Sequence, residues 1–167
     1  MTTNAKVAIL MGSDSDLPVM EETGKILKEF GVEYDIRISS AHRTPEDTAE
    51  FSKNAAKNGI KVIIAGAGLA AHLPGVIASH TTLPVIGVPL VSAPFEGLDA
   101  ILSILQMPPG VPVATVAVGK VGAKNAALLA VEMLALSDEG LQKKLADHRK
   151  KMAADVAEKN KKLCHRP

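Results

Sequence analysis

Ser40, His42 and Arg43 stand within four positions of one another and offer a hydroxyl, an imidazole and a guanidinium. The planar fork of an arginine matches phosphate oxygens, and a neighbouring hydroxyl adds a further donor. An imidazole titrates near neutrality, so it can give a proton and take one back. Phosphate recognition beside proton transfer is the chemistry this trio suits. What positions it can be read from its flanks. A β-branched and apolar run ends near Ile38 at two serines, and a helix start follows with Thr44 as N-cap, Pro45 at the first helical position and Asp47 at the third. The trio therefore belongs on a strand-to-helix loop. In an α/β sheet such loops open at the carboxyl edge, where ligands bind beside a topological switch point.

Two other stretches supply loops of the same kind. Gly12-Ser13-Asp14-Ser15-Asp16 interrupts an apolar run, and its small residues can turn amides toward a phosphate at a helix N-terminus. Two carboxylates would repel that phosphate, so the economical arrangement puts Ser13 on it and turns Asp16 to ribose hydroxyls. From this loop alone, Ser15 or Asp16 could equally serve as a helix cap. The third stretch, Gly66-Ala67-Gly68-Leu69-Ala70-Ala71-His72-Leu73-Pro74-Gly75, presents backbone with hardly any side chain, which permits close approach to a flat ligand. It lacks the spacing of a dinucleotide fingerprint. Taken alone, His72 reads as a residue that caps or orients its loop, and His42 as either a proton carrier or a hydrogen-bonded loop histidine.

These loops need a frame, and the chain in order provides one. Strands are expected at Val7 to Met11, Glu33 to Ile38, Val62 to Ala65, Leu83 to Val88 and Val113 to Val118. Helices are expected between them: one running to about Phe30, then Pro45 to Asn58, Ala71 to about His80 with Pro74 in its first turn, Leu98 to Leu105, and Ala123 to Leu136. Gly119 to Gly122 reads as the turn into the last of these. Five βα units in succession argue for a right-handed, doubly wound parallel sheet in one domain, 1–167. A further charged helix begins near Ser137 and continues past Ala157. Leu141, Leu145, Met152 and Val156 recur along it at helical spacing, so its stripe can pack on a neighbouring subunit while its lysines face solvent.

Composition removes several function classes. Nineteen basic against eighteen acidic residues leave a charge of +1, without the basic excess of a nucleic-acid binder. Aromatics make up 2% of the chain, too few for base-stacking platforms. The N-terminus shows neither a signal peptide nor a membrane span, which makes a cytoplasmic protein the expectation. The single cysteine, Cys164, reads as a bystander thiol near the end of the chain. No phosphate-loop lysine motif, nucleophile elbow or metal-ligand spacing is present, and the histidines at 42, 72, 80, 148 and 165 are scattered, so the expectation is a site without metal or cofactor.

Five motifs taken together resemble a known family. They are Met11-Gly12-Ser13-Asp14-Ser15-Asp16, Ser40-Ala41-His42-Arg43-Thr44-Pro45, Ile63-Ile64-Ala65-Gly66-Ala67-Gly68 with Ala71-His72-Leu73-Pro74-Gly75, Pro84-Val85-Ile86-Gly87-Val88-Pro89, and Gln106-Met107-Pro108. In order and spacing they are similar to the N5-carboxyaminoimidazole ribonucleotide mutases of purine biosynthesis, from Val7 to about Arg149. The resemblance implies a flavodoxin-like three-layer αβα sandwich assembled as a homo-octamer, with no metal, biotin or ATP. It implies transfer of a carboxylate from N5 to C4 of aminoimidazole ribonucleotide. By that likeness Ser13, Ser40 and Arg43 hold the phosphate and Asp16 the ribose. Gly66, Ala67, Gly68, Ala70 and Ala71 face the imidazole and carboxylate, Ala41, His72 and Leu73 complete the substrate contacts, and His42 is the acid and base. A second branch of the family carboxylates aminoimidazole ribonucleotide directly with carbon dioxide; Arg43 after His42 and the intact Gly66 to His72 segment resemble the mutase branch. Ser92-Ala93-Pro94-Phe95-Glu96-Gly97 departs from the pattern with a bulky aromatic and an acid in a loop expected to border the site. A sugar-phosphate-binding module without catalysis is the reading from another class, and His42 separates the two, because binding does not require it.

Overall fold

Val7–Met11 (β1), Val62–Ala67 (β3) and Val85–Pro89 (β4) are continuous apolar runs, and every residue in them is buried. Such runs become strands covered on both faces, and in the computed structural model they form the middle of a five-stranded sheet. The structure describes residues 4–164. Residues 1–3 and 165–167 and the side chain of Cys164 lie outside the described residues, and with them the expectations for the N-terminus and the thiol. Tyr34–Ile38 (β2) and Ala114–Thr115 (β5) are the edges. The order is β2-β1-β3-β4-β5 with every pairing parallel, the flavodoxin-like order whose switch point lies between β1 and β3. Ile9 pairs with Ile36 on one side and Ile64 on the other, and Ala65 pairs with Gly87. Edge strand β2 leaves Ile36 and Ile38 exposed and carries the Asp35 and Arg37 ion pair, a charge that discourages strand addition.

Side chains alternate across the pleat, so each strand addresses two helical layers. On one face the buried Met20 of Leu17–Phe30 (α1) packs over Gly66, where a Cβ would collide with its sulfur. On that side α1 meets Gly119–Ala135 (α5): Thr23 Oγ1 donates to the Ala123 carbonyl at 3.0 Å, and Lys124 pairs with Glu22 at 3.3 Å. On the other face Ala8, Leu10, Ile63 and Ala65 join a core with Ala55, Leu73, Ile77, Ala100 and Ile104. Those residues follow or belong to Pro45–Asn54 (α2), Leu73–His80 (α3) and Leu98–Leu105 (α4). Helices thus cover both faces of one parallel sheet, the three-layer sandwich.

Some boundaries differ from expectation for identifiable reasons. Helix α2 ends at Asn54 instead of Asn58, where the Asn54 amide donates to the Glu50 carbonyl, and a run of turns reaches Gly59 at φ 92°. Strand β3 extends through Gly66 and Ala67, and β4 includes Pro89, whose missing N–H does not interrupt a strand end. Strand β5 shrinks to two residues because it pairs on one side only and follows Pro112. Helix α5 starts at Gly119, earlier than the expected Ala123, and its Gly122 lies so close to the Ala117 carbonyl that only a residue without Cβ fits there. The chain divides into two compact units, 1–131 and 132–167. The first contains the whole sheet. The second is dominated by Glu139–Cys164 (α6), whose start is capped by Asp138 accepting the Leu141 N–H at 3.0 Å. Within it Arg149 pairs with Glu132 at 3.3 Å. Among the described residues no helix is long and apolar enough to cross a membrane.

Candidate functional site

The loop after β1 is built as a closed cap. Ser13 is the N-cap of a short 3-10 turn, Asp14–Asp16; its hydroxyl accepts the Ser15 N–H at 3.4 Å, and Asp16 Oδ2 accepts the Ser13 N–H at 3.1 Å. This reciprocal capping box satisfies backbone donors that would otherwise be orphaned. It engages Asp16 through Oδ2. Burial raises the pKa of Asp16 above the ordinary carboxylate value, against the opposing pull of the Ser13 and Gly12 N–H groups and the Arg43 charge. Asp14 is exposed and shifts down, chiefly through the Ser13 hydroxyl, which donates to it at 2.9 Å.

The loop after β2 begins where Ser39 N–H donates to the Met11 carbonyl at 2.8 Å and closes where Thr44 N–H donates to the Ser40 carbonyl at 2.9 Å. Between these ends Ser40 Oγ accepts from Arg43 N–H at 3.2 Å and from Arg43 Nε at 3.3 Å. The terminal guanidinium nitrogen of Arg43 donates to the Gly12 carbonyl, strapping this loop to the first. His42 Nε2 lies 2.8 Å from His72 Nδ1, with the rings edge to face at 4.9 Å and 80°. That contact holds one hydrogen, so one ring donates and the other accepts. His72 is thus the direct partner of His42, a role its loop position did not disclose.

The loop after β3 offers mainly backbone. Leu69 takes a left-handed φ of 56°, the Ala71 N–H donates to the Leu69 carbonyl at 2.8 Å, and the His72 N–H donates to the Ala70 carbonyl at 2.7 Å. From the loop after β4, Ser92 Oγ accepts the Leu69 N–H at 3.2 Å. Four loops from four parallel strands therefore meet at the carboxyl edge of the sheet, around the β1/β3 switch point.

They enclose a cleft of about 660 Å³, a common size for a small-ligand site. Of the residues read from the sequence, Ser13, Asp16, Ser40, Ala41, His42, Arg43, Ala67, Gly68, Ala70, His72 and Leu73 line it. Gly66 and Ala71 do not: Gly66 sits inside β3 under Met20, and Ala71 is buried in the core. The glycine at 66 therefore reports the packing of a helix. Leu90 and Val91 line the cleft without a motif to announce them, and Ser92 lines it from the start of the loop expected to border the site. The signal for them was topological, since β4 ends at the same sheet edge. Phe95 and Glu96, the departures from the family pattern, are exposed and outside the lining.

This arrangement can hold an anion with hydroxyls, a guanidinium and amides, seat a flat ring against the Ala67 to Ala70 backbone, and present an imidazole to it. Among the described residues no three His, Cys, Asp or Glu side chains gather in a metal-binding group. A family model described as AIR carboxylase matches residues 6–155. The N5-carboxyaminoimidazole ribonucleotide mutase of Pyrococcus horikoshii is 59% identical over 157 residues, covering 94% of this chain and 88% of that protein. The protein of the same name from Bacillus subtilis is 52% identical, covering 94% of this chain and 97% of its own. The crystal structure of Treponema denticola PurE aligns with a TM-score of 0.85 at 37% identity, covering 94% of this chain and 97% of that one.

Proposed function

The chain belongs to the AIR carboxylase family, and from that premise we propose that it isomerises N5-carboxyaminoimidazole ribonucleotide to 4-carboxy-5-aminoimidazole ribonucleotide in purine biosynthesis. The observation that carries the reading is the convergence of phosphate donors, a backbone-lined slot and a paired imidazole in one cleft. Arg43, with Ser40 and Ser13, takes the phosphate, and the guanidinium exchanges the Gly12 carbonyl for phosphate oxygens. Asp16, on the cleft wall, accepts from the ribose hydroxyls. The Ala67 to Ala70 backbone faces the imidazole ring.

The chemistry then needs a single proton carrier. His42 protonates the carbamate nitrogen, the nitrogen-carbon bond breaks, and carbon dioxide leaves with its bonding pair left on the amine. C4 of the resulting aminoimidazole is enamine-like and attacks the carbon dioxide held beside it. The hydrogen on C4 then passes to His42, which ends as it began. His72, hydrogen-bonded to it, fixes the orientation of the ring. A cleft that keeps out water favours decarboxylation and retains the gas. The enzyme acts in the cytoplasm as an octamer of this chain; exposed Leu98, Leu102 and Leu105 on α4 support self-association.

His42→Asn tests the reading. Nucleotide binding by calorimetry is expected to persist while turnover falls by at least ~100-fold, the lower range for loss of a general acid-base group. Undiminished turnover would remove the mechanism. A 13C-labelled carbamate turned over in unlabelled bicarbonate is expected to keep its label in the product. Loss of label to the pool would instead indicate direct carboxylation.

A further inference from the structure

Thr48 lies one turn into α2, fully buried and outside the cleft. Its hydroxyl joins the two ends of the loop that carries His42. Thr48 Oγ1 donates to the Thr44 carbonyl at 3.0 Å. A hydroxyl has one hydrogen, so the 2.7 Å contact between Thr48 Oγ1 and Ser39 Oγ is a donation from Ser39. Ser39, itself buried, is held to the sheet by its N–H on the Met11 carbonyl. Thr44 is held to the start of the loop by both its N–H and its hydroxyl, which donate to the Ser40 carbonyl at 2.9 and 3.1 Å. Ser52 Oγ donates to the Thr48 carbonyl at 2.7 Å and fixes the helical turn behind. A continuous line runs from sheet to Ser39, Thr48 and Thr44, closing around Ser40 to Arg43.

Two buried hydroxyls are unfavourable unless bonded, and an alanine and a valine would fill the same space without that risk. What the hydroxyls add is a defined distance between the loop ends. His42 needs one, because its partner His72 stands on a different loop and their 2.8 Å contact tolerates little drift. We propose that the Ser39–Thr48 hydroxyl bridge is a positioning device for His42, with Thr48 its central residue. The inference rests on the acid-base reading of His42 given above.

Thr48→Val, Thr48→Ser and the double variant Ser39→Ala with Thr48→Val test it through kcat, KM and the thermal midpoint, with His42→Asn alongside. Thr48→Val strands the Ser39 hydroxyl, so Tm falls, and kcat falls roughly 10-fold through misplacement of the ring, while KM, set by Arg43 and Ser40 on the same loop and by Ser13 on another, rises by a smaller factor. Thr48→Ser restores both. In the double variant neither hydroxyl is left orphaned, so Tm returns toward wild type, yet kcat stays depressed. A kcat that recovers together with Tm, or one unchanged in Thr48→Val, overturns the proposal and leaves the bridge a packing feature. If Thr48→Val does not fold, Ser39→Ala, which leaves Thr48 bonded to Thr44, carries the test with a severalfold loss of kcat expected. Turnover surviving in His42→Asn would sink the acid-base reading and the positioning role with it; an inactive His42→Asn beside a fully active Thr48→Val sinks the bridge alone.

Discussion

Asp16 closes the capping box through one oxygen and faces the cleft, in surroundings that disfavour its charge. Burial is the dominant cause of its raised pKa, so the folded chain keeps this proton to a higher pH than the unfolded chain does. Stability attributable to the group is therefore lost as pH rises from the ordinary carboxylate value through the raised folded one. Above that window the ionised side chain remains a constant cost at neutral pH. Ribose hydroxyls donating to the carboxylate would offset that cost, which links the disfavoured charge to binding. Asp16→Asn keeps an amide oxygen for the Ser13 N–H and removes the charge. The variant should be at least as stable as wild type at neutral pH, and its advantage should fade on acidification through the same window. Its KM should rise about 10-fold, the difference between a charged and a neutral hydrogen-bond acceptor. Urea titrations across pH with steady-state kinetics check both; a variant less stable at pH 7 with unchanged KM would mean that Asp16 is a cap and nothing more.

Elements meet the site through close approaches that side chains would spoil, and Gly66 is the clearest. A Cβ there collides with the Met20 sulfur, so α1 could not lie on β3 at its present height. Gly66→Ala should lower stability by about 1–3 kcal/mol, the usual cost of overpacking. Met20→Ala should cost less stability in that background than in wild type, and additivity in thermal melts would show that the two do not touch. The same residue marks where sequence reading ran short. A glycine needed for a helix and a glycine needed for a ligand leave identical marks in a sequence, so Gly66 read as a ligand contact. The apolar runs of β1, β3 and β4, the Thr44-Pro45 helix start and the loop positions of Ser40, His42 and Arg43 were legible because each rests on neighbours in the chain. The His42–His72 contact, the Arg43 strap to Gly12 and the Ser92 bond to Leu69 join residues far apart in sequence, and only the sheet order brings them together. Strand β5 was overread because its valine-rich run signals a strand without telling how many neighbours it will find.

At the scale of the whole molecule, helix α6 is what one copy leaves unexplained. Leu141, Leu145, Met152, Val156 and Leu163 fall, at about 100° per residue, within an arc of roughly 60°, narrower than the stripe of a helix laid on a broad core. Met152, Val156 and Leu163 are about half exposed. A narrow apolar seam flanked by charge suits another helix, and the proposed octamer supplies copies of this one. Met152→Glu with Val156→Glu separates folding from assembly. The helix carries eight basic against four acidic residues, so two added carboxylates bring it closer to neutrality, and glutamate is a good helix former. Helicity by circular dichroism should hold while the native mass drops to a smaller species. An octameric mass retained by the variant would assign assembly to another surface, with the exposed leucines of α4 the next to test.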